Sequence, residues 1–156
     1  MTTWLNSPHR KWTVRLANQN DSSAIRRLVI SGGINPTGLD WRRFIVAEAP
    51  DGRVIGCGQI KPHRDGSHEL ASIAVAPEWR ERGVARAIIE RLLASQDGDL
   101  YLMCRSRLGP LYEKFGFQAL AETEMPKYFK KVSRLASFVE YFNKERETLL
   151  VMKRDG

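Results

Sequence analysis

No apolar run in this chain approaches the ~20 residues that a membrane-spanning helix needs, so no membrane partner is expected. The opening stretch MTTWLNSPHRKW has no apolar core of the kind a secretory signal carries, and the cytoplasm is the expected location. Cysteine is scarce. Cys57 and Cys104 are the only two, each inside an apolar strand-like run, as expected of buried free thiols in a reducing compartment. The histidines are three, His9, His63 and His68, and they form no HxxxH or comparable cluster; with neither cysteine at ligand spacing, no metal site is expected. Internal repeats, low-complexity stretches and interdomain linkers are also missing. What remains is 156 residues, 42% hydrophobic and 28% charged, enough for one folded domain over 1–156 with a sizeable core and too apolar for disorder.

Acidic residues are in the minority. The formal net charge is +7 and the isoelectric point about 9.7, which raises nucleic acid as a partner. The basic residues are spread along the chain, with local groups at Arg80/Arg82/Arg86 and Lys127/Lys130/Lys131/Arg134. There is no RNP motif, zinc finger or long basic tail. A ligand bearing several phosphates needs positive charge as much as nucleic acid does, so nucleic acid is not the expected partner.

The pattern of apolar residues gives the order of elements. Thr13 to Ala17 reads as a short strand, and Asp21 as the N-cap of an amphipathic helix through Ile25, Leu28, Val29 and Ile30 that stops at Gly32-Gly33. Phe44–Ala47 and Val54–Ile60 flank Asp51-Gly52, a hairpin turn, and Asp65-Gly66 is a second turn leading into Glu69–Val75. A further strand spans Leu100–Cys104, a helix holds Tyr112, and a strand runs from Phe117 to about Ala121. Met125-Pro126 opens a long helix with Tyr128, Phe129, Val132, Leu135, Ala136, Val139 and Phe142 on one side, before a last strand from Thr148 to Met152. That apolar stripe must cover the core, line a cleft or meet a second copy of the chain. The expected fold is α/β of the α+β type: a mixed, mostly antiparallel sheet flanked by helices.

The most informative stretch is ELASIAVAPEWRERGVARAIIERLLAS, Glu69 to Ser95. A strand ends at Pro77, a short loop presents Arg80-Glu81-Arg82-Gly83-Val84-Ala85, and a helix starts at once, with Val84, Ala85, Ile88, Ile89, Leu92 and Leu93 at helical spacing. The first N–H groups of a helix lack intrahelical partners and the helix dipole favours negative charge there. Gly83 and Ala85 let a diphosphate approach the backbone, and Arg80, Arg82 and Arg86 add charge around it.

Arg80-x-x-Gly83-x-Ala85 after an apolar strand resembles the R/Q-x-x-G-x-G/A signature of the GNAT-type N-acetyltransferases. Downstream, Leu100–Cys104 followed by Gly109-Pro110-Leu111-Tyr112-Glu113-Lys114-Phe115-Gly116-Phe117 resembles the family's "lYek-GF" helix end, in the family's order and at about its separation. The resemblance covers roughly Trp12 to Glu122; members usually join their last two strands by a short connection, so the helix within residues 125–153, before the last strand, is an elaboration of the family plan.

The resemblance implies an enzyme that moves an acetyl group from acetyl-CoA, its co-substrate, to a primary amine by direct attack. It implies that Arg80, Arg82, Gly83, Val84, Ala85 and Arg86 cradle the pyrophosphate. It implies too that backbone groups of Ile73, Ala74 and Val75 hold the pantetheine arm, the Ile73 N–H polarising the thioester carbonyl. Tyr112 matches the tyrosine used as general acid; an ordinary phenol, with a pKa of about 10, stays protonated at neutral pH and can donate to a thiolate. Glu69 matches a glutamate that in some members is the general base, acting directly or through water. Side-chain alternation puts it on one face with Ala71, Ile73 and Val75. A core tyrosine and a strand-end glutamate paired with Arg64 or His68 are the plainer readings of the two, and His63 and His68 are alternative bases. Where members often have an asparagine seven residues before the tyrosine, this chain has Arg105.

The acceptor stays open between a small amino-acid-like molecule and a protein or peptide amine. The lysines that accompany the Tyr128 stripe favour the former, with an acidic group near its amine. A non-catalytic acyl-CoA-binding module, and a homodimer formed through that stripe, are further readings.

Overall fold

The computed structural model describes residues 11–140 and 147–156, the side chains of 137–140 excepted. Among the described residues the fold is mixed α/β, with a seven-stranded, mostly antiparallel sheet and four α-helices. The chain divides into two units, one ending at Lys61 but also taking in Leu70–Ser95, the other built from Pro62–Glu69 and the residues after Gln96.

The first unit holds β1 (Thr13–Leu16), α1 (Ser22–Ser31), β2 (Phe44–Glu48), β3 (Val54–Pro62), most of β4 (His68–Val75) and α2 (Val84–Ala94). These strands lie in the order β1-β2-β3-β4. β1 pairs antiparallel with β2, Thr13 opposite Glu48, and β2 with β3, Phe44 opposite Gln59. The Asp51-Gly52 turn forms as expected, with Gly52 at φ 88° and the Asp51 carboxylate accepting from the Arg53 N–H at 3.0 Å.

Two helices use the two faces of this sheet. Ile25 and Val29 of α1 pack with Phe44, Val46, Cys57 and Ala74. The intervening residues of β3 are Gly56 and Gly58. A Cβ on Gly58 would lie 2.5 Å from Ile73 Cδ1 and 2.8 Å from Ile88 Cγ2, and one on Gly56 would lie 2.8 Å from Val84 Cγ1. Their missing side chains let α2 sit close to the strand.

Asp21 precedes α1 as expected, but its carboxylate does not cap that helix. It accepts from Arg15 Nη1 at 2.7 Å, Arg15 Nη2 at 3.0 Å and the Asn18 N–H at 2.8 Å. The Arg15 guanidinium holds it below the usual carboxylate range. A charged partner outbids the helix N–H groups because a charge-assisted, bidentate bond is the stronger one.

The second unit carries β5 (Leu100–Arg105), α3 (Gly109–Glu113), β6 (Gln118–Ala119), α4 (Lys127–Glu140) and β7 (Leu149–Arg154), with strand order β5-β7-β6. β7 runs antiparallel between the other two, Leu100 opposite Arg154 and Gln118 opposite Lys153. The start of β4 belongs here as well: Glu69 pairs with Tyr101 in parallel. Leu100, Leu102, Phe117, Phe129 and Met152 are its fully buried side chains. β6 is two residues long, shorter than Phe117 to Ala121, though the Leu120 N–H still donates to the Val151 carbonyl at 2.9 Å. Helix α4 is present as expected; Val139 lacks a described side chain, and Phe142 and His9 lie outside the described residues.

Candidate active site

The loop that leads into α2 is built from unusual backbone. Glu81 and Gly83 both take left-handed conformations, φ 61° and 80°. For Gly83 this is free of strain, and a Cβ there would meet nothing within 4 Å, so the backbone is open to an approaching group. Gly83 is the N-cap of α2 and supplies no side-chain cap; the Ala87 N–H makes the helical bond back to the Gly83 carbonyl, 3.1 Å. The N–H groups of the turn before it have no intrahelical acceptor.

The three arginines of the loop are each held. Arg80 Nε donates to the Val75 carbonyl at 3.2 Å, tying the loop to the end of β4. Arg82 lies over the Trp79 ring, 5.1 Å from its centroid. Arg86 donates to Glu90 at 2.9 Å, one turn along α2. All three are exposed, so their charge faces solvent. Ile73 and Val75 are half-buried and Ala74 is buried on the α1 side. Ser72, at φ 59°, interrupts the extended backbone of β4, while burial still alternates from Leu70 to Val75. Its hydroxyl accepts from the buried Gln59 Nε2 at 2.9 Å, while Gln59 Oε1 finds no partner among the described residues.

Glu69 and Tyr112 lie in the second unit. Glu69 is buried, and its Oε1 is 2.8 Å from His63 Nε2 across the Asp65-Gly66 turn. His63 is thus one partner of Glu69. Tyr128 stacks on the imidazole with centroids 3.6 Å apart and planes at 18°, and Phe129 meets it edge-on at 5.6 Å. Phe129 in turn stacks on Tyr101 at 5.2 Å. The first turn of α4 is pinned here by Asp65, whose carboxylate accepts from the Tyr128 N–H at 3.0 Å. Neither the pairing of His63 nor its cover by α4 was read from the sequence. The available signal was the Asp65-Gly66 turn, which folds residues six apart into reach.

Tyr112 is half-buried on the five-residue α3, its ring edge-on to Phe117 at 6.2 Å. Its hydroxyl makes no hydrogen bond within the described residues. Burial, with the Cys104 sulfur nearby, pushes the phenol up to about 12, so it is protonated throughout the neutral range. Arg105, at the end of β5, ion-pairs with Glu147 at 3.4 Å, and Arg107 does so at 3.2 Å. On α4, Lys127, Lys130, Lys131 and Arg134 share one stripe with Leu135, which is 59% exposed. Leu135 lies two turns along from Tyr128 on the same side of the helix, yet it is exposed beside these charges.

Residues 40–119, half of the chain, match the acetyltransferase (GNAT) domain family, and the chain belongs to it. It is 37% identical over 90 residues to an amino-acid acetyltransferase of Mycobacterium tuberculosis, an alignment covering 51% of this chain and 52% of the relative. The chain thus spans about half the length of the curated relative it matches. Its fold is similar to that of Rv2747 from Mycobacterium tuberculosis, solved in complex with CoA, at 26% identity and TM-score 0.69 over 92% of this chain and 99% of that one. A fold likeness at 20% identity and TM-score 0.70 extends to the N-acetylglutamate synthase of Neisseria gonorrhoeae, over 94% of this chain and 35% of that one. Among the described residues no helix is long and apolar enough to cross a membrane.

Proposed function

We propose that this protein is an N-acetyltransferase that uses acetyl-CoA to acetylate the amine of a small amino-acid-like acceptor. The observation that carries the reading is the open left-handed Gly83 at the N-cap of α2, in a chain belonging to the GNAT family. The backbone from Arg82 to Ala85 fits a pyrophosphate, with Arg80, Arg82 and Arg86 supplying charge. Ile73, Ala74 and Val75 would line the pantetheine arm. Acetyl-CoA supplies the acetyl group as a thioester.

Glu69 takes the proton of the acceptor's ammonium, directly or through one water, which frees the nitrogen lone pair for attack on the acetyl carbonyl. Tyr112 donates its proton to the sulfur as the carbon–sulfur bond breaks. A phenol at about 12 is a weak acid for an ordinary thiolate, whose conjugate acid lies near ~8.5. A desolvated thiolate is a stronger base, however. Loss of water around the leaving sulfur therefore favours the transfer.

Likeness to the amino-acid acetyltransferase supports the acceptor class. Lys127, Lys130, Lys131 and Arg134 of α4 would favour an acceptor with an acidic group near its amine. The test is thiol release from acetyl-CoA against panels of amino acids, polyamines and peptides. Turnover with an acidic or neutral amino acid is the expected result. Turnover confined to peptides would move the acceptor to a protein N-terminus or lysine. Tight acetyl-CoA binding with every acceptor silent would make the chain an acyl-CoA-binding module.

A further inference from the structure

We propose that His63 is a positioning residue for the general base, fixing the Glu69 carboxylate through its Nε2–H while the first turn of α4 seals the pair from water. The proposal rests on the assignment of Glu69 as base. The distance of 2.8 Å between Nε2 and Oε1 is that of a charge-assisted hydrogen bond. An ionised carboxylate only accepts, so Nε2 must carry the proton between them. Both side chains are nearly enclosed, 10% and 8% exposed, and a hydrogen bond so shielded is neither competed away by water nor screened by salt.

The shield is specific. Tyr128 covers one face of the imidazole, Phe129 abuts it, and Asp65 holds the Tyr128 backbone in place. Among the described residues, Asp65 from the turn lies near His63, and Tyr128 from α4 lies near Glu69 as well as on the imidazole. The 2.8 Å contact makes His63 a donor that orients the carboxylate. The helix inserted between β6 and β7 becomes part of the catalytic apparatus rather than a cap on the core.

Two substitutions separate positioning from proton transfer. In His63→Gln the amide nitrogen reaches the place of Nε2 and donates the same bond without titrating. In His63→Leu the bond is gone at similar volume. We expect kcat of the glutamine variant within about threefold of the unmodified enzyme, and a loss of about 10–100-fold in the leucine variant. KM for acetyl-CoA should not change in either. Equal losses in both would mean that His63 itself moves the proton, and full activity of His63→Leu would mean that the pair is only structural; either overturns the proposal. Rates are compared at a temperature where circular dichroism shows both variants folded.

A readout without turnover separates failure of the pairing from failure of the base assignment. Ring nitrogen shifts by NMR should show the Nε2–H tautomer of His63, with the preference lost in Glu69→Leu. An Nδ1–H tautomer overturns the pairing. Full activity of Glu69→Gln beside an intact Nε2–H signal overturns the base assignment, and with it the role given to His63.

Discussion

The Tyr128 ring lies flat on the imidazole of His63, with centroids 3.6 Å apart, while its own backbone N–H is held 3.0 Å from the Asp65 carboxylate. One residue at the start of α4 is therefore fixed twice, by its ring and by its backbone, onto the turn that presents Glu69. Asp65 does there what a capping side chain does at a helix N-terminus. Burial would raise its pKa, but hydrogen bonds from Ser67 and the Tyr128 N–H outweigh that and lower it. The attachment is present above the ordinary carboxylate range and is lost as pH falls through it.

Tyr128→Ala should lower the melting temperature by a few degrees, because ring stacking and lost burial together amount to about 1–3 kcal/mol. It should also reduce kcat by opening the Glu69–His63 pair to water. Tyr128→Phe keeps the stack and should behave as the unmodified protein in both measurements. Equal effects in the two variants would assign the role to the hydroxyl instead.

Tyr112→Phe should leave acetyl-CoA affinity intact by calorimetry and lower kcat about 10²-fold, the usual scale for a general acid. The phenol also has a pH signature. Its folded pKa, about 12, lies above the ordinary value of 10.0, so its contribution to stability is complete below pH ~10 and disappears as pH rises towards ~12. Denaturant midpoints measured across that window should fall less steeply in the phenylalanine variant.

Gly83→Val tests the anion cradle. A valine Cβ meets no neighbour, so the cost to stability is limited to the left-handed backbone, about 1–2 kcal/mol. Acetyl-CoA affinity should drop at least tenfold, since the side chain occupies the approach to the α2 N-terminus. Unchanged affinity in a folded variant would put the pyrophosphate elsewhere.

Glu69→Gln should slow turnover most below the pKa of the acceptor amine, where the ammonium must be deprotonated. The deficit should shrink at higher pH, where free amine is already abundant. A pH–rate profile of unchanged shape would hand the base role to another group, with His68 next to test.

Gly58→Ala should destabilise the protein by about 1–3 kcal/mol, as overpacking does. The added methyl group would sit 2.5 Å from Ile73 and 2.8 Å from Ile88, forcing α2 off the strand. A melting temperature equal to that of the unmodified protein would mean that these side chains swing aside freely.

The sequence by itself determined most of the elements and the loop that leads into α2. Helical spacing through Ile88, Ile89 and Leu92, turn chemistry at Asp51-Gly52 and Asp65-Gly66, and the loop Arg80–Ala85 are local patterns, and each formed where the pattern put it. Local rules sufficed because turn type, helix period and a glycine at positive φ depend on the backbone of a few consecutive residues. Tertiary structure alone decided which partner each charged or aromatic side chain took. Asp21 stands at the N-cap of α1 but gives its carboxylate to Arg15; Glu69 meets His63 across the Asp65-Gly66 turn; Leu135, read as one of the apolar stripe, is exposed beside the lysines. These choices compare desolvation and hydrogen-bond geometry among side chains that approach only after the chain has folded, and no spacing along the sequence encodes that comparison.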